Sequence, residues 1–520
     1  MHFDSSFLVA LLAYSAIQVA ALPQPPLPDV VDKGGDGDLH TPDSLGLGKA
    51  KHDEQATHPK RSPNPDDVSP LEYVVDAVKD GVTKKPAHGA GSDESIKNMK
   101  KHIKKVVVLV MENRSLDNIL GGQTLEGLDN PINNKGDPFC NYHDVDDKSG
   151  RKTCAEPKEK DSILQDPNHS VSGNNMEFYG TFTPDNDDIQ SGKLKPKMNG
   201  FVQEQLRLHD DSDANNTELA SEVMSYYPEK HVPVLTKLVK EYCTFNRWFS
   251  SFPGPTAPNR AFIVSGTSRG RGDNNDDFDA DTHGLTHMSI FEALGKADRS
   301  WKNYYVDSSE QMVDAWYFDW VFKSGNDKKA VHIKEFYADA KAGKLPDFSY
   351  IEPSCCGDGT NSMHPTGRVS DGEEFIRDVY QALRASPQWD QTLFVLTFDE
   401  TGGFHDHVPP PTVGRPDYVE YEETTPNDEK YTFKFDRLGG RVPTLLISPW
   451  VAKGKVVQDG TDRNGTSVPY SATSLLRTLG YLWDFQPFNH RIHDSPSFDH
   501  LILSEKRDTP ESLPKPASFK

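Results

Sequence analysis

The stretch KVVVLVM at Lys105–Met111 is apolar and mostly β-branched at every position after its lysine. A strand with one wet face alternates apolar and polar residues, whereas a run without alternation is buried on both faces, as in a mostly parallel sheet covered by helices. TLFVLTF at Thr392–Phe398 has the same character, and VPTLLI at residues 442–447 supplies a third run. Amphipathic helical stretches lie between them, at 372–385 and at 218–226 running on to 235–242. Strands alternating with helices predict a doubly wound α/β domain, its sheet mostly parallel and its helices on both faces. The chain shows no internal repeat.

Outward from these runs the composition changes. Residues 22–99 are rich in Pro, Gly, Asp, Lys and Ser and poor in large apolar side chains. Such a stretch buries too little surface to offset its ordering entropy and reads as a disordered pro-segment or linker. Within it, Lys60-Arg61 is either a dibasic processing site or two solvated charges, and 71–82 hints at a short helix. Residues 7–21 form an apolar run ending in Val19-Ala20-Ala21, a small-residue cleavage pattern that would leave Leu22 as the mature start. The organisation read from the chain is therefore a signal peptide at 1–21, a linker at 22–99, a catalytic domain at 100–485 and a C-terminal extension at 486–520. The expected location is outside the cell or in its wall. No later run is long and apolar enough to be a transmembrane helix.

The formal charge is −22, spread along 520 residues without a polybasic block. Such a chain is repelled by nucleic acid and by anionic membranes, while transient contact with a neutral or zwitterionic lipid surface and attraction of metal cations stay open. Cys140 and Cys154 flank a short polar loop suited to a local disulfide. Cys243, Cys355 and Cys356 leave an odd count, and the adjacent pair lacks the CxxC spacing of a zinc site. Asn168, Asn215 and Asn464 begin glycosylation sequons, and Asn113 begins another that falls in the candidate site.

In open parallel sheets ligands bind beyond the carboxyl ends of the strands. Two of the buried runs end there in polar pairs, Glu112-Asn113 and Asp399-Glu400, the second followed by Thr-Gly-Gly. A single Asp or Asn at such a place is an ordinary cap or turn residue. Two pairs beside a core are costly unless a cation neutralises them, which points to a divalent metal with oxygen ligands. PGPTAPNR at 253–260 precedes an apolar stretch, and Pro258 suits a first helical turn with Thr256 near the positive N-terminus. Alone this would be a Pro-rich turn. Beside a metal, the Thr256 hydroxyl can ionise and attack phosphorus, with Arg260 expected to hold one phosphoryl oxygen and Asn259 to donate to another. His407, in FHDHV, and His364 are candidate metal or phosphate ligands, or the acid for a leaving alkoxide.

The strings MENRSLDNILG (111–121), PGPTAPNR (253–260), FDETGGFHDHVPPP (398–411) and RVPTLLISPW (441–450) together resemble the phosphoesterase family. That family contains bacterial and plant non-specific phospholipases C and some acid phosphatases, within the alkaline phosphatase superfamily; the likeness is greatest to fungal secreted members of the phospholipase C type. It spans about residues 103–483. The resemblance implies an alkaline phosphatase-like fold, Thr256 as nucleophile, Glu112, Asn113, Asp399 and Glu400 at the metal, and His364 and His407 at the phosphate. Many members carry Y-D-H-S-S near the C-terminus, but Ala472 takes the histidine's place here. The TxPxR string echoes the sulfatase CxPxR motif, yet Thr256 cannot become formylglycine. The implied reaction is hydrolysis of a phosphate ester through a phosphothreonine, and for a phospholipid it would give diacylglycerol and a phosphorylated head group. The rivals are a broad-specificity acid phosphatase acting on small monoesters and an inactive, metal-stabilised surface protein. Substrate choice is expected to lie in loops such as 122–161 and 269–287.

Overall fold

The computed structural model describes residues 89–133, 136–209, 216–275, 278, 284–307, 313–462 and 465–519. The apolar run at 7–21, Lys60-Arg61, the hinted helix at 71–82, Asn215 and Asn464 lie outside the described residues.

An eight-stranded sheet forms the centre. Its strands are β1 (Lys105–Met111), β2 (Cys243–Phe245), β3 (Trp301–Tyr305), β4 (Ala330–His332), β5 (Phe348–Glu352), β6 (Thr392–Phe398), β7 (Leu445–Ile447) and β8 (Lys455–Val457). Their spatial order is β8-β2-β7-β6-β1-β5-β3-β4. Strand β1 runs parallel to both its neighbours, β5 and β6, and only β7 runs against its two neighbours. The sheet is thus mostly parallel, as the unalternating runs predicted. The third run starts later than read, at Leu445, because Pro443 has no N–H to give to a ladder.

Every residue of β5 and β6, and every residue of β1 after Lys105, is buried. Successive side chains alternate between faces, so helices must cover both. Helix α1 (Asp93–His102) precedes β1, and α2 (Leu116–Leu120) follows it. A lobe of α3 (Val171–Tyr179), α4 (Phe201–Leu208) and α5 (Asn216–Met224) packs around Phe178, Phe201 and Val223. The chain then continues through α6 (Pro233–Glu241), α7 (Thr256–Ser265), α8 (Ile333–Ala342), α9 (Val369–Arg384) and α10 (Ala472–Trp483). Helix α9 packs against α6 and α8, while α10 packs against α7 and α1.

Two expectations are corrected. The stretch read as one helix running from 218 to 242 is two, α5 and α6, interrupted around Pro228 and restarted by Pro233 at the first position of α6. The folded body also begins before residue 100: α1 buries Ile96 and Met99 and so belongs to the core rather than to the linker. The Ser92 side chain caps this helix by accepting from the Ser95 N–H, with Asp93 and Glu94 in the first turn and Lys100, Lys101 and His102 in the last. That arrangement matches the helix dipole and compensates for few apolar residues. After residue 485 the chain stays on the same core through Phe498, Leu501, Ile502 and Leu513.

Cys140 and Cys154 face each other across a short antiparallel hairpin and are disulfide-bonded. Among the described residues no helix is long and apolar enough to cross a membrane.

Candidate active site

The in-register parallel pairing of β1 with β6 sets Met111 beside Phe398, so the polar pairs that follow emerge side by side. Asn113 adopts a left-handed backbone (φ 53°), which Asn tolerates better than most residues. The turn lets its backbone N–H donate to Asp399 Oδ1 at 3.1 Å. Gly402, also left-handed, passes so close that a Cβ there would sit 2.3 Å from the Asn113 carbonyl oxygen. Only glycine allows the 399–403 turn to close over the end of β1.

Thr256 opens α7, and it alone in that ten-residue helix is not buried. Its hydroxyl donates to Asn113 Oδ1 at 3.3 Å. The turn before it is fixed by Asn259, whose amide donates to the carbonyls of Phe252, Gly254 and Pro255 and whose Oδ1 accepts from the N–H groups of Ser251 and Phe252. Asn259 has no capacity left for a phosphoryl oxygen; it shapes the loop that presents Thr256.

Arg260 is likewise placed otherwise than expected. It is fully buried under the site, with nitrogens 2.8 Å from Glu112 Oε1, 3.3 Å from Asp399 Oδ2, 3.7 Å from Asp314 and 3.9 Å from Glu352. Burial pulls its pKa down, but Glu112, Asp314 and Asp399 outweigh that and hold it firmly charged. The guanidinium therefore neutralises the ends of β1, β5 and β6 instead of reaching a substrate.

One guanidinium does not balance Glu112, Asp314, Glu352, Asp399 and the adjacent, fully buried Glu400. Burial pushes up the pKa of Glu112, Glu352, Asp399 and Glu400, and Glu400 is raised further by Asp399. Glu400 Oε2 accepts from the Gly402 N–H, while its Oε1 is buried without a hydrogen-bond partner. A surplus of buried carboxylate and an unpartnered oxygen suit a hard divalent cation. Asn113, Thr256, Asp399 and Glu400 are the residues that would hold it, with Glu112 half committed to Arg260.

Next to Asn113 stands a group that the sequence reading missed. His169 Nε2 lies 3.5 Å from Asn113 Nδ2, and one ligand atom each from Asp166, His169 and His364 lie within 4.8 Å of one another. His169 Nδ1 donates to the Pro167 carbonyl and His364 Nδ1 to the Pro365 carbonyl, so both rings keep Nε2 lone pairs. Burial lowers the pKa of His364. Asn168, read as a glycosylation site, donates its amide N–H to Glu204 while its Oδ1 accepts from the Ser170 N–H, both fixing the loop that carries His169. The signal lay in PNHS, a polar loop directly before α3, but nothing local to it marks one histidine as special.

His407 does not join this cluster. It sits in a separate ion network, with Nδ1 2.6 Å from Asp117 on α2 and Nε2 2.8 Å from Asp129. Arg441 completes that network at 2.9 Å from Asp117 and 3.0 Å from Asp406. Burial alone would lower the His407 pKa, but the bonds to Asp117 and Asp129 raise it to about 10. A ring so held is a fixed cation at neutral pH.

Sequence comparison agrees with the motifs. The model of the phosphoesterase family matches residues 103–486. The chain belongs to the phosphoesterase family. It is 33% identical over 445 residues to non-specific phospholipase C6 of Arabidopsis thaliana, covering 80% of this chain and 76% of that protein. It is 32% identical over 432 residues to non-specific phospholipase C3 of the same plant, covering 79% and 76%. A solved structure of a protein in the alkaline phosphatase superfamily from Vibrio parahaemolyticus aligns with a TM-score of 0.30 and 11% identity, over 52% of this chain and 64% of that one.

As a phosphoesterase-family member the chain is a phosphoric ester hydrolase. The family strings thus divide in space between two tasks. Asn113, Thr256, Asp399 and Glu400 are joined by hydrogen bonds into one cluster, whereas Asn259 and Arg260 brace it from within the fold and His407 belongs to a neighbouring ion network. Ala472, standing where many phosphoesterases carry histidine, is buried in the apolar core at the start of α10 and offers no proton-transferring group.

Proposed function

We propose that this chain is an exported, divalent-cation-dependent phospholipase C that hydrolyses phospholipids such as phosphatidylcholine through a phosphothreonine on Thr256. The observation that carries the reading is the placement of Thr256: the one unburied residue of α7, at its N-terminus, hydrogen-bonded to Asn113, whose own N–H donates to the buried carboxylate of Asp399. The names of the plant relatives support the phospholipid class. The Cys140–Cys154 bridge supports passage through an oxidising compartment.

A cation held by Asn113, Thr256, Asp399 and Glu400 would supply charge to stabilise the ionised hydroxyl and the developing phosphoryl negative charge. The chain's own residues do the rest. Asn113 accepts from the Thr256 hydroxyl and so aims its oxygen, and the N-terminal end of α7 favours the alkoxide. Thr256 attacks phosphorus and the ester alcohol departs. His364 Nε2, 3.9 Å from Asp166 Oδ2, offers a lone pair that takes the proton lost by Thr256, and the imidazolium, disfavoured by burial but partly offset by Asp166, passes that proton on to the leaving oxygen. Water then releases the phosphorylated head group from Thr256.

The test is mass spectrometry of protein quenched in acid during turnover of a choline phosphodiester. A phosphocholine adduct is expected on the peptide containing Thr256, and Thr256→Ala is expected to lose activity by on the order of 10⁴-fold. An unmodified peptide together with near-normal activity of Thr256→Ala would mean that water, rather than threonine, attacks phosphorus. Faster turnover of a monoester than of the diester would favour the phosphatase reading.

A further inference from the structure

Beyond Glu352 at the end of β5, the chain passes through Cys355 and Cys356 and reaches His364 before entering α9. Cys355 and Cys356 are bonded to each other. Cys243 is free and buried, and burial pushes its thiol pKa up to about 11. The adjacent bridge stands at the edge of the reaction site: Cys356 Sγ is 3.9 Å from Glu112 Oε2. The two sulfurs and one ring nitrogen of His364 lie within 4.8 Å of one another. Cys356 is exposed and Cys355 half-buried, so solvent reaches the bridge.

While bonded, neither sulfur is a thiolate, and the pair cannot ligate a cation. Opened, it offers two thiolates beside an imidazole, a soft donor set that zinc or cadmium prefers and that magnesium or calcium does not. His364 has its Nδ1 fixed on the Pro365 carbonyl, which leaves Nε2 as the ligating nitrogen.

We propose that Cys355, Cys356 and His364 form a redox-gated inhibitory site for a soft divalent cation. A dithiol attacks the exposed sulfur, Cys356, the S–S bond breaks, and the resulting mixed disulfide is resolved by the second thiol of the reductant. Both protein sulfurs end as thiols and the reductant as its disulfide, a balanced two-electron, two-proton exchange. The cation then displaces both thiol protons and takes the His364 Nε2 lone pair, with water in the remaining position. His364 is thereby withdrawn from proton transfer. The inhibitory half rests on the role given to His364 under Proposed function; the cation-binding half does not.

The test uses the full-length holoenzyme, reduced with a dithiol, desalted without air and titrated with cadmium. Thiolate-to-cadmium ultraviolet absorption and ester hydrolysis are followed together. The reduced protein is expected to develop the absorption and to lose activity by roughly 10²-fold, and the oxidised protein to do neither. In a Cys140→Ser/Cys154→Ser background, which removes the other reducible pair, Cys356→Ser should abolish the cadmium response, Cys243→Ser should keep it, and His364→Ala should keep the absorption with weaker binding. Absorption in oxidised protein, or its survival in Cys356→Ser, overturns the site. Inhibition without absorption also overturns it, since cadmium then acts at the oxygen ligands. Absorption without inhibition overturns the inhibitory half and, with it, the catalytic role of His364.

Discussion

Arg260 and Glu112 form a fully buried ion pair, 2.8 Å between guanidinium nitrogen and carboxylate oxygen, beneath the floor of the reaction site. Three further carboxylates surround the same guanidinium. Removing one partner of such a pair leaves uncompensated buried charge and costs about 3–5 kcal/mol. Arg260→Met is therefore expected to lower unfolding stability by about that amount in a denaturant titration. A stable variant whose only defect is a raised KM would instead assign Arg260 to the substrate.

Asn259 braces the turn that presents Thr256, so on the proposed mechanism it would act on the rate through position alone. Asn259→Ala removes hydrogen bonds to the 251–255 segment, and a displacement of about 1 Å at the nucleophile is enough to cost roughly 10²-fold in rate. The expected outcome is a fall in kcat with KM and metal content little changed. A change in KM alone would point to direct contact with the phosphoryl group.

Removal of the cation should act with a defined pH dependence. Asp399 and Glu400 have pKa values raised by burial, so without a cation they bind protons more tightly folded than unfolded. Their folded-state penalty is absent below the ordinary carboxylate range and grows as pH rises through it. Chelation is expected to lower Tm more at about pH 8 than at about pH 5. Asp399→Asn should lower both metal content and rate, and retention of both would exclude Asp399 from the metal site.

The His407 network has the opposite sign. Its folded pKa of about 10 lies above the ordinary 6.5, so its contribution is complete below the lower value and is lost as pH rises through the upper. Asp117 and Asp129 are held low: against burial, Arg441 and then the bond to His407 lower Asp117, and the same histidine lowers Asp129. Melting curves of His407→Gln and the parent chain should therefore differ most just below about pH 6.5, where Asp117 and Asp129 are still ionised, and converge toward about pH 10. A constant difference across that window would show that His407 titrates elsewhere.

The sequence was most legible where one physical rule acts alone. The runs at Lys105–Met111 and Thr392–Phe398 have no polar face, so their burial and the polar pairs at their ends could be read directly. Less legible were residues whose meaning depends on distant partners. Arg260 looks like a phosphate ligand until Asp314 and Glu352 are seen around it, and those carboxylates come from segments with no motif of their own. His407 sits beside recognisable site residues in sequence, but Asp117 and Asp129 draw it into another network. His169 was invisible because it enters the site from a polar loop whose position depends on the α3–α5 lobe.

The first helix of the described chain is held by its last segment. The Gly91 N–H donates to both oxygens of Asp499, 408 residues away, at 3.1 Å, the Ser95 hydroxyl donates to the same carboxylate, and Asn98 Nδ2 donates to the Ile502 carbonyl at 2.7 Å. On a ribosome the N-terminal partner of this clasp is made long before the C-terminal one. Closing so long a loop is entropically the slowest kind of contact to form. The hydrogen bonds that pin α1 can therefore close only after synthesis has passed Asp499 and Ile502.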